Sequence, residues 1–249
     1  MLADVTAPAL FRDLVGYDLL PSRFVSDLRR FQWDSAILKV NWALSGPIPW
    51  KASEVSRAGT VHLGADFDSL TDFAADLSIG RIPRDPFLLF GQMTTSDPTR
   101  SPAGTESAWS YTHLPHQRTL TSDEVAAHAD LMETVVERVA PGFHDLIVGR
   151  YVQGPGDLQS ADANLSGGAV NGGTAALHQQ LVFRPVPGLS RPETPIDGLF
   201  LASASAHPGG AVHGACGANA ARAALARAKW YGRAYNAGWR TAGRAVWGR

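Results

Sequence analysis

With 249 residues, 45% of them hydrophobic and 18% charged, and a net charge of −1, the chain has the make-up of a globular protein large enough for one large or two modest domains. No window of about 18 uncharged apolar residues exists, which excludes a transmembrane helix. The single cysteine, Cys216, excludes an internal disulfide, and the start Met1-Leu-Ala-Asp-Val-Thr-Ala-Pro8 lacks the basic and apolar regions of a secretory signal, so a cytoplasmic protein is expected.

Residues 8–30 read as a helix in two pieces, broken at Gly16 and restarted after Pro21. Over Ile37–Leu44 the side chains alternate, with Leu38, Val40, Trp42 and Leu44 on one face and Lys39 and Asn41 on the other, the pattern of a half-buried strand. Thr60–Leu63 is a second short strand. After Asp66, Leu70, Phe73, Ala74 and Leu77 recur at helical spacing, which predicts a helix to about Gly80. Pro86–Met93 and Ala108–Leu114 read as strands, giving a mostly antiparallel sheet. Thr121 and Glu124 form a capping box ahead of a helix whose Val125, Met132, Val136 and Val139 share a face and which stops at Pro141-Gly142. Four strands with interposed helices predict an α+β region over 1–145. The glycine-rich stretch 145–190 is too long for a plain connection in a compact domain unless it lines a site.

Residues 198–225 then give a short apolar strand at Leu199–Leu201, a run of small residues, a His207-Pro208-Gly209-Gly210 turn and an alanine-rich helix over 210–228. Strand, glycine turn and helix in that order aim free backbone N–H groups and the positive end of a helix dipole at one point, which suits an anion such as a phosphate or a reduced flavin ring. An ordinary βα corner accounts for the same local pattern. Cys216 falls in the small-residue helix and reads as packing.

This segment resembles the C-terminal flavin-contacting motif of the phytoene desaturase-like FAD-dependent oxidoreductases, roughly Gly-Leu-Tyr-Leu-x-Gly-x-x-x-His-Pro-Gly-Gly-Gly-Val. The branch it is most similar to is the pyridine nucleotide-disulfide oxidoreductase domain-containing protein 2 type. Ala140-Pro-Gly-Phe-His-Asp-Leu-Ile-Val-Gly-Arg150 resembles that branch's Ala-Pro-Gly-Phe-x-Asp-x-x-x-Gly-Arg, and Leu38-Lys-Val-Asn-Trp-Ala-Leu44 its Phe-Lys-Val-Asn-x-Ala-Leu strand. Asp157-Leu158, Gly167-Gly168 and Gln179 through Arg184-Pro-Val-Pro187 fall in the family's order, so the likeness spans about residues 10–228. The resemblance implies an α/β protein in two parts. Residues 1–145 correspond to an α+β substrate domain, and 146–228 to the last strand and helix of a FAD-binding Rossmann-like domain, with 229–249 as a separate basic aromatic tail. The family's N-terminal Gly-x-Gly-x-x-Gly turn for the ADP part of FAD is absent, and neither Gly167-Gly168-x-x-x-Gly172-Gly173 nor Gly214-x-x-Gly217 has its spacing.

The implied cofactor is therefore FAD, held together with the absent N-terminal half, and the implied contacts are Ser203, His207, Pro208, Gly209, Gly210, Ala211 and Val212, with Gly167, Gly168 and Asn171 lining the substrate. The sequence departs from the family where Ser203 and Ala211 replace glycines and Ala218 an arginine. It also departs at Ala169 and Gly172, where relatives often carry Asn and His. The implied activity is removal of hydride from an apolar isoprenoid-like molecule; no residue is marked as a catalytic acid or base. His213 and Asn219 stand at or in the helix as ligand contacts or as backbone caps. His113-x-x-His116 has no Cys or carboxylate at ligand spacing, so no metal is expected, and Ser203 and Ser205 lack a Gly-x-Ser-x-Gly context.

Beyond Asp197 no Asp or Glu occurs, while Arg222, Arg227, Lys229, Arg233, Arg240, Arg244 and Arg249 give seven positive charges. On a helix, Tyr231, Tyr235, Trp239 and Val246 share one side and Lys229, Arg233, Arg240 and Arg244 the other, which suits peripheral contact with an anionic membrane. A solvated tail, or one docked on a partner, is the other reading. With the excess of positive charge confined to this tail, nucleic acid is not an expected partner. The expected partners are an N-terminal half chain or a second copy, and the alternatives to an enzyme are a non-catalytic apolar-ligand or partner-binding module and a truncated product inactive alone.

Overall fold

The computed structural model describes residues 1–248 apart from 65, 117 and 189. Its elements in chain order begin with β1 (Leu2–Ala3), α1 (Ser22–Leu28), β2 (Ala36–Leu44), β3 (Thr60–Leu63), α2 (Phe67–Ser78), β4 (Leu88–Gln92), α3 (Met93–Ser96) and β5 (Glu106–Leu114). They continue with α4 (Ser122–Val139), α5 (Phe143–Leu146), β6 (Ile147–Gln153), α6 (Pro155–Ala161), β7 (Phe200–Leu201), α7 (Ala215–Ala228) and α8 (Gly232–Trp247). Two compact units result: Ser35–Gly168 is one, and Met1–Asp34 with Ala169–Arg249 the other. This mixed α/β architecture has both parallel and antiparallel pairing, as expected, but its division differs from the sequence boundaries at 145 and 228. Beyond 145 the chain stays in the sheet, because β6 pairs antiparallel with β2. Sequence periodicity missed β6 because Gly149 and Arg150 interrupt its apolar alternation. Arg249 of the expected tail lies outside the described residues.

The sheet of the Ser35–Gly168 unit runs β3-β4-β5-β2-β6, every neighbouring pair antiparallel. Leu38, Val40, Trp42 and Leu44 point inward as the alternation predicts and join Ala129, Met132 and Val136 of α4 in one core. Each such buried side chain contributes about 1.5–3 kcal/mol. Trp42 stacks on Phe90 and meets Phe143 edge-on, while its indole N–H donates to Glu133 Oε1 at 2.8 Å. Arg150 Nη1, 3.1 Å from Glu133 and 2.6 Å from Asp130, neutralises that buried carboxylate. The capping box is present: Glu124 N–H donates to Thr121 Oγ1 (3.2 Å) and Thr121 N–H to Glu124 Oε2 (2.9 Å). α4 buries His128, Ala129, Met132, Glu133, Val135 and Val136, whereas Val139, expected on its buried face, is exposed in the last turn. β5 inverts the usual preference: Ala108, Ser110 and Thr112 face the core, and Trp109, Tyr111 and His113 face away from it.

In the other unit β1 pairs parallel with β7, Leu2 opposite Phe200 and Ala3 opposite Leu201. Their core gathers Leu10 and Phe11 of a π-helical turn (Ala9–Val15), Phe24 and Leu28 of α1, Leu201 and Trp247. Gly16 ends that turn at φ 86. In α7, Ala220 and Ala223 bring the helix close against Phe200. α8 differs from the membrane-facing expectation. Trp247 is buried edge-on to Phe24, Trp239 and Val246 pack on the same core, and the Tyr235 hydroxyl donates to the buried Glu193. Asp197 binds Arg227 at 2.6 and 2.7 Å and Arg240 at 2.8 Å, which holds α7 and α8 to one loop and pulls its carboxyl down to about 2. Among the described residues no helix is long and apolar enough to cross a membrane.

Candidate functional site

Ligands in parallel sheets collect beyond the carboxyl ends of the strands. Here β1 ends at Ala3 and β7 at Leu201, and past them Asp4, Ala202 and Ala204 line an open cavity of about 490 Å3. Gly209, Gly210 and Ala211 form a second wall, the first turn of α7 (Ala215, Cys216, Gly217) a third, and Asn171 completes it. That volume lies within the range of about 300–1,000 Å3 usual for small-molecule clefts.

The walls present donors. α7 starts at Ala215 with Gly214 before it at φ 60, five residues later than the helix expected from 210, so residues 211–214 make an extra turn between corner and helix. The two still open on one cavity. His213 Nδ1 accepts the Ala215 N–H at 2.9 Å, so His213 both lines the cavity and caps the helix. Among the described residues the amides of Gly210, Ala211, Cys216 and Gly217 find no acceptor. Unpaired amides at a helix start, where the macrodipole amounts to about +0.5 charge, favour an anion.

Beneath the corner lies Arg184, fully buried. Its guanidinium donates to Ala204 O from Nε (3.1 Å) and Nη2 (2.8 Å), to Thr174 O (2.8 Å) and to Asn171 O (3.0 Å). It thereby ties the glycine-rich loop to the turn after β7. Gly209, at φ 107, passes so close that an added Cβ would sit 3.2 Å from Arg184 Nε. Burial pulls the Arg184 pKa below its ordinary value, and Cys216 and Asp34 oppose that fall. Arginine nonetheless keeps its proton, so a fixed cation stands behind the cavity wall. Asp4 at the rim carries the opposite sign but is exposed, where water and salt screen it. Asp34, which accepts the Val170 and Asn171 N–H groups, partly offsets Arg184, so the unpaired amides give the site its preference for an anion.

The residues expected from sequence divide. Gly209, Gly210, Ala211 and Asn171 come together on this cavity, with Gly210 against the Asn171 side-chain amide. Ser203 does not line it: its buried hydroxyl accepts the Ser205 N–H at 3.2 Å. Ser205 in turn accepts the Ala7 N–H and donates to Gly172 O, so both serines hold the turn. His207 is half-buried, with Nδ1 enclosed and, among the described residues, without a hydrogen-bond partner, and its bond to Pro208 is cis. Neither His207, Pro208 nor the fully exposed Val212 lines the cavity. Asn219 accepts from Arg222 on the surface of α7. Cys216 lines the cavity, but its thiol is spent on Ala206 O (3.4 Å) and Gly209 O (3.3 Å). Asp4, Ala202 and Ala204 carried no signal a single sequence could show. Arg184 belongs to the Arg184-Pro-Val-Pro187 segment, yet nothing in its local sequence says that it is buried.

Gly167 and Gly168 fall in the sheet unit. Gly167 lines a cavity of about 510 Å3 there with His116, Arg118, Arg150 and Asp157, and Gly168 is buried against Pro155 and Ala36. His116 Nε2 lies 2.9 Å from Ser166 O. Among the described residues no group of three His, Cys, Asp or Glu side chains is placed to hold a metal.

No protein-family model matches the chain. It is 29% identical over 237 residues to pyridine nucleotide-disulfide oxidoreductase domain-containing protein 2 of Rattus norvegicus, and 28% identical over 235 residues to the Mus musculus protein of that name. Each alignment covers 89% of this chain and 40% of the relative, so the chain spans well under half the length of the curated proteins it matches. Among solved structures an oxidoreductase from Methanosarcina mazei aligns with 90% of this chain and 42% of its own, at 13% identity and a TM-score of 0.50, a likeness of fold.

Proposed function

We propose that this chain is the flavin- and substrate-contacting portion of a FAD-dependent oxidoreductase that removes hydride from an apolar, isoprenoid-like molecule. The observation that carries the reading is the cavity at the ends of β1 and β7, where unpaired amides of the Gly209–Ala211 corner and of α7 converge above the buried Arg184. The relatives' names and the fold likeness point the same way. In this reading the Met1–Asp34 and Ala169–Arg249 unit belongs to the cofactor domain, and Ser35–Gly168 is the substrate domain. A separate or covalently linked dinucleotide-binding half supplies the rest of the FAD site.

The residues present fit the flavin ring system at its anionic edge. The Gly210, Ala211, Cys216 and Gly217 amides and Asn171 would hold it, and the corner closes this tightly only on glycine, since an added Cβ would strike Asn171 from Gly210 and crowd Arg184 from Gly209. FAD, when bound, supplies the two-electron acceptor for the hydride. The chain's own part is to fix donors around that edge in advance, so that charge developing there is met without reorganisation.

The chain co-expressed with the N-terminal portion of the rat relative is expected to purify as a yellow complex with the visible absorbance of bound flavin. A folded but colourless complex overturns the reading.

A further inference from the structure

The sheet of the Ser35–Gly168 unit has a second face, and two complete cross-strand rows build it. In one, His62, Leu89, Tyr111, Lys39 and Gln153 stand side by side across all five strands. In the next, Thr60, Gly91, Trp109, Asn41 and Tyr151 do the same. Alternation sends their neighbours Leu38, Val40, Leu88, Phe90 and Ala108 into the core, so these rows lie on the opposite side.

The rows form an aromatic shelf with one cation. Trp109 and Tyr111 stack with ring centroids 6.0 Å apart and planes 8° from parallel. The indole lies over Gly91, where any Cβ would strike it, so the shelf depends on a glycine in the next strand. Lys39 stands directly opposite Tyr111, half-exposed, and among the described residues its ammonium has no hydrogen-bond or ion-pair partner. Neither row contains an Asp or Glu. Burial raises the Tyr111 pKa above its ordinary value, so the phenol stays neutral and offers no counter-charge. Lys39, with Tyr111 on one side and Gln153 on the other, therefore has no acid beside it in its row. An anion arriving from outside restores the balance, and a charge-assisted hydrogen bond is the strong form of that contact. A small inorganic anion has no use for the stacked rings; an apolar molecule carrying a carboxylate uses both.

We propose that this face binds the substrate as an apolar carboxylate, its acid paired with Lys39 and its flat or extended body laid along Trp109 and Tyr111. This deepens the proposed function by naming the substrate's class, and it takes from that reading only that the substrate is apolar. Binding is measured on the full chain without flavin, so a failure here leaves the flavin site standing, and a colourless complex leaves this face standing.

The probes are parinaric acid, a conjugated tetraene fatty acid whose fluorescence rises in an apolar site, and its methyl ester, which keeps the body and removes the charge. The wild-type chain is expected to bind the acid about tenfold or more tighter than the ester, the worth of one charge-assisted bond. K39M, or K39Q should K39M prove insoluble, abolishes that preference while still binding the ester, K39R retains it, and W109L weakens both probes alike. Equal affinity for acid and ester in the wild type, a preference that survives in folded K39M or K39Q, or no saturable binding of the acid by the folded wild-type chain overturns the proposal.

Discussion

Among single residues, Arg184 shows how a side chain with an ordinary sequence signature acquires an extraordinary position. Four carbonyls, those of Ala204, Thr174, Asn171 and Gly173, share its guanidinium, and among the described residues no carboxylate is bonded to it. R184M would strand these buried acceptors, at a cost of roughly 3 kcal/mol or more. For a chain of this size that lowers Tm by roughly 10 °C, and calorimetry or thermal circular dichroism would read it. A Tm within a degree or two of wild type would mean that the loop and the corner do not depend on Arg184. The neighbouring glycines were legible from sequence because a tight turn near a helix start needs them. Ser203 stands at a position where the motif implies a cofactor contact, and in the folded chain its hydroxyl accepts the Ser205 N–H. Position along a motif does not reveal which way a side chain turns when the strand before it is two residues long.

Elements with strong internal patterning were readable almost to their ends. The Thr121–Glu124 box fixed the start of α4, and strict alternation fixed β2. His128 sits on the buried side of α4, and desolvation lowers its pKa from 6.5 to about 4. The folded state thus prefers the neutral ring, while the unfolded chain takes up a proton near 6.5. Stability from this group is complete above about pH 6.5 and is lost as pH falls toward 4, by roughly 3 kcal/mol over that window. Denaturant melts at stepped pH should show that slope in the wild type and a flatter profile in H128L; parallel profiles would refute the assignment. β5 shows where patterning fails. Its aromatic Trp109 and Tyr111 face away from the core, while the small Ala108, Ser110 and Thr112 alternate with them on the buried side. β6, with Gly149 and Arg150 at its middle, is a strand because β2 offers it an edge.

For the molecule as a whole, the architecture is an insertion: a continuous stretch, Ser35–Gly168, between the two parts of a discontinuous unit. The inserted unit has its own five-stranded sheet and its own core, from Ala36 to Phe143. Expressed alone, residues 35–168 are expected to fold cooperatively, with dispersed amide resonances and a single thermal transition. A spectrum of collapsed, unstructured chain would show that the core is completed elsewhere. The tail illustrates the same scale. Its aromatic–basic pattern on a helix suits a membrane surface, but in the folded chain Trp239, Val246 and Trp247 pack on the core shared by Phe11 and Phe24.

The sequence by itself determined what depends on neighbours along the chain: the alternation of β2, the capped α4, the glycine corner and the alanine-rich α7. Tertiary structure alone decided what depends on partners far away in the chain. Residues 1–4 return beside 198–204 to make the parallel pair and its cavity, Arg184 becomes the buried cation beneath that cavity, and two rows from five strands assemble the shelf around Lys39. The physical reason is that burial and pairing are properties of a packed interior, and a one-dimensional pattern records only the local preferences that make such packing possible.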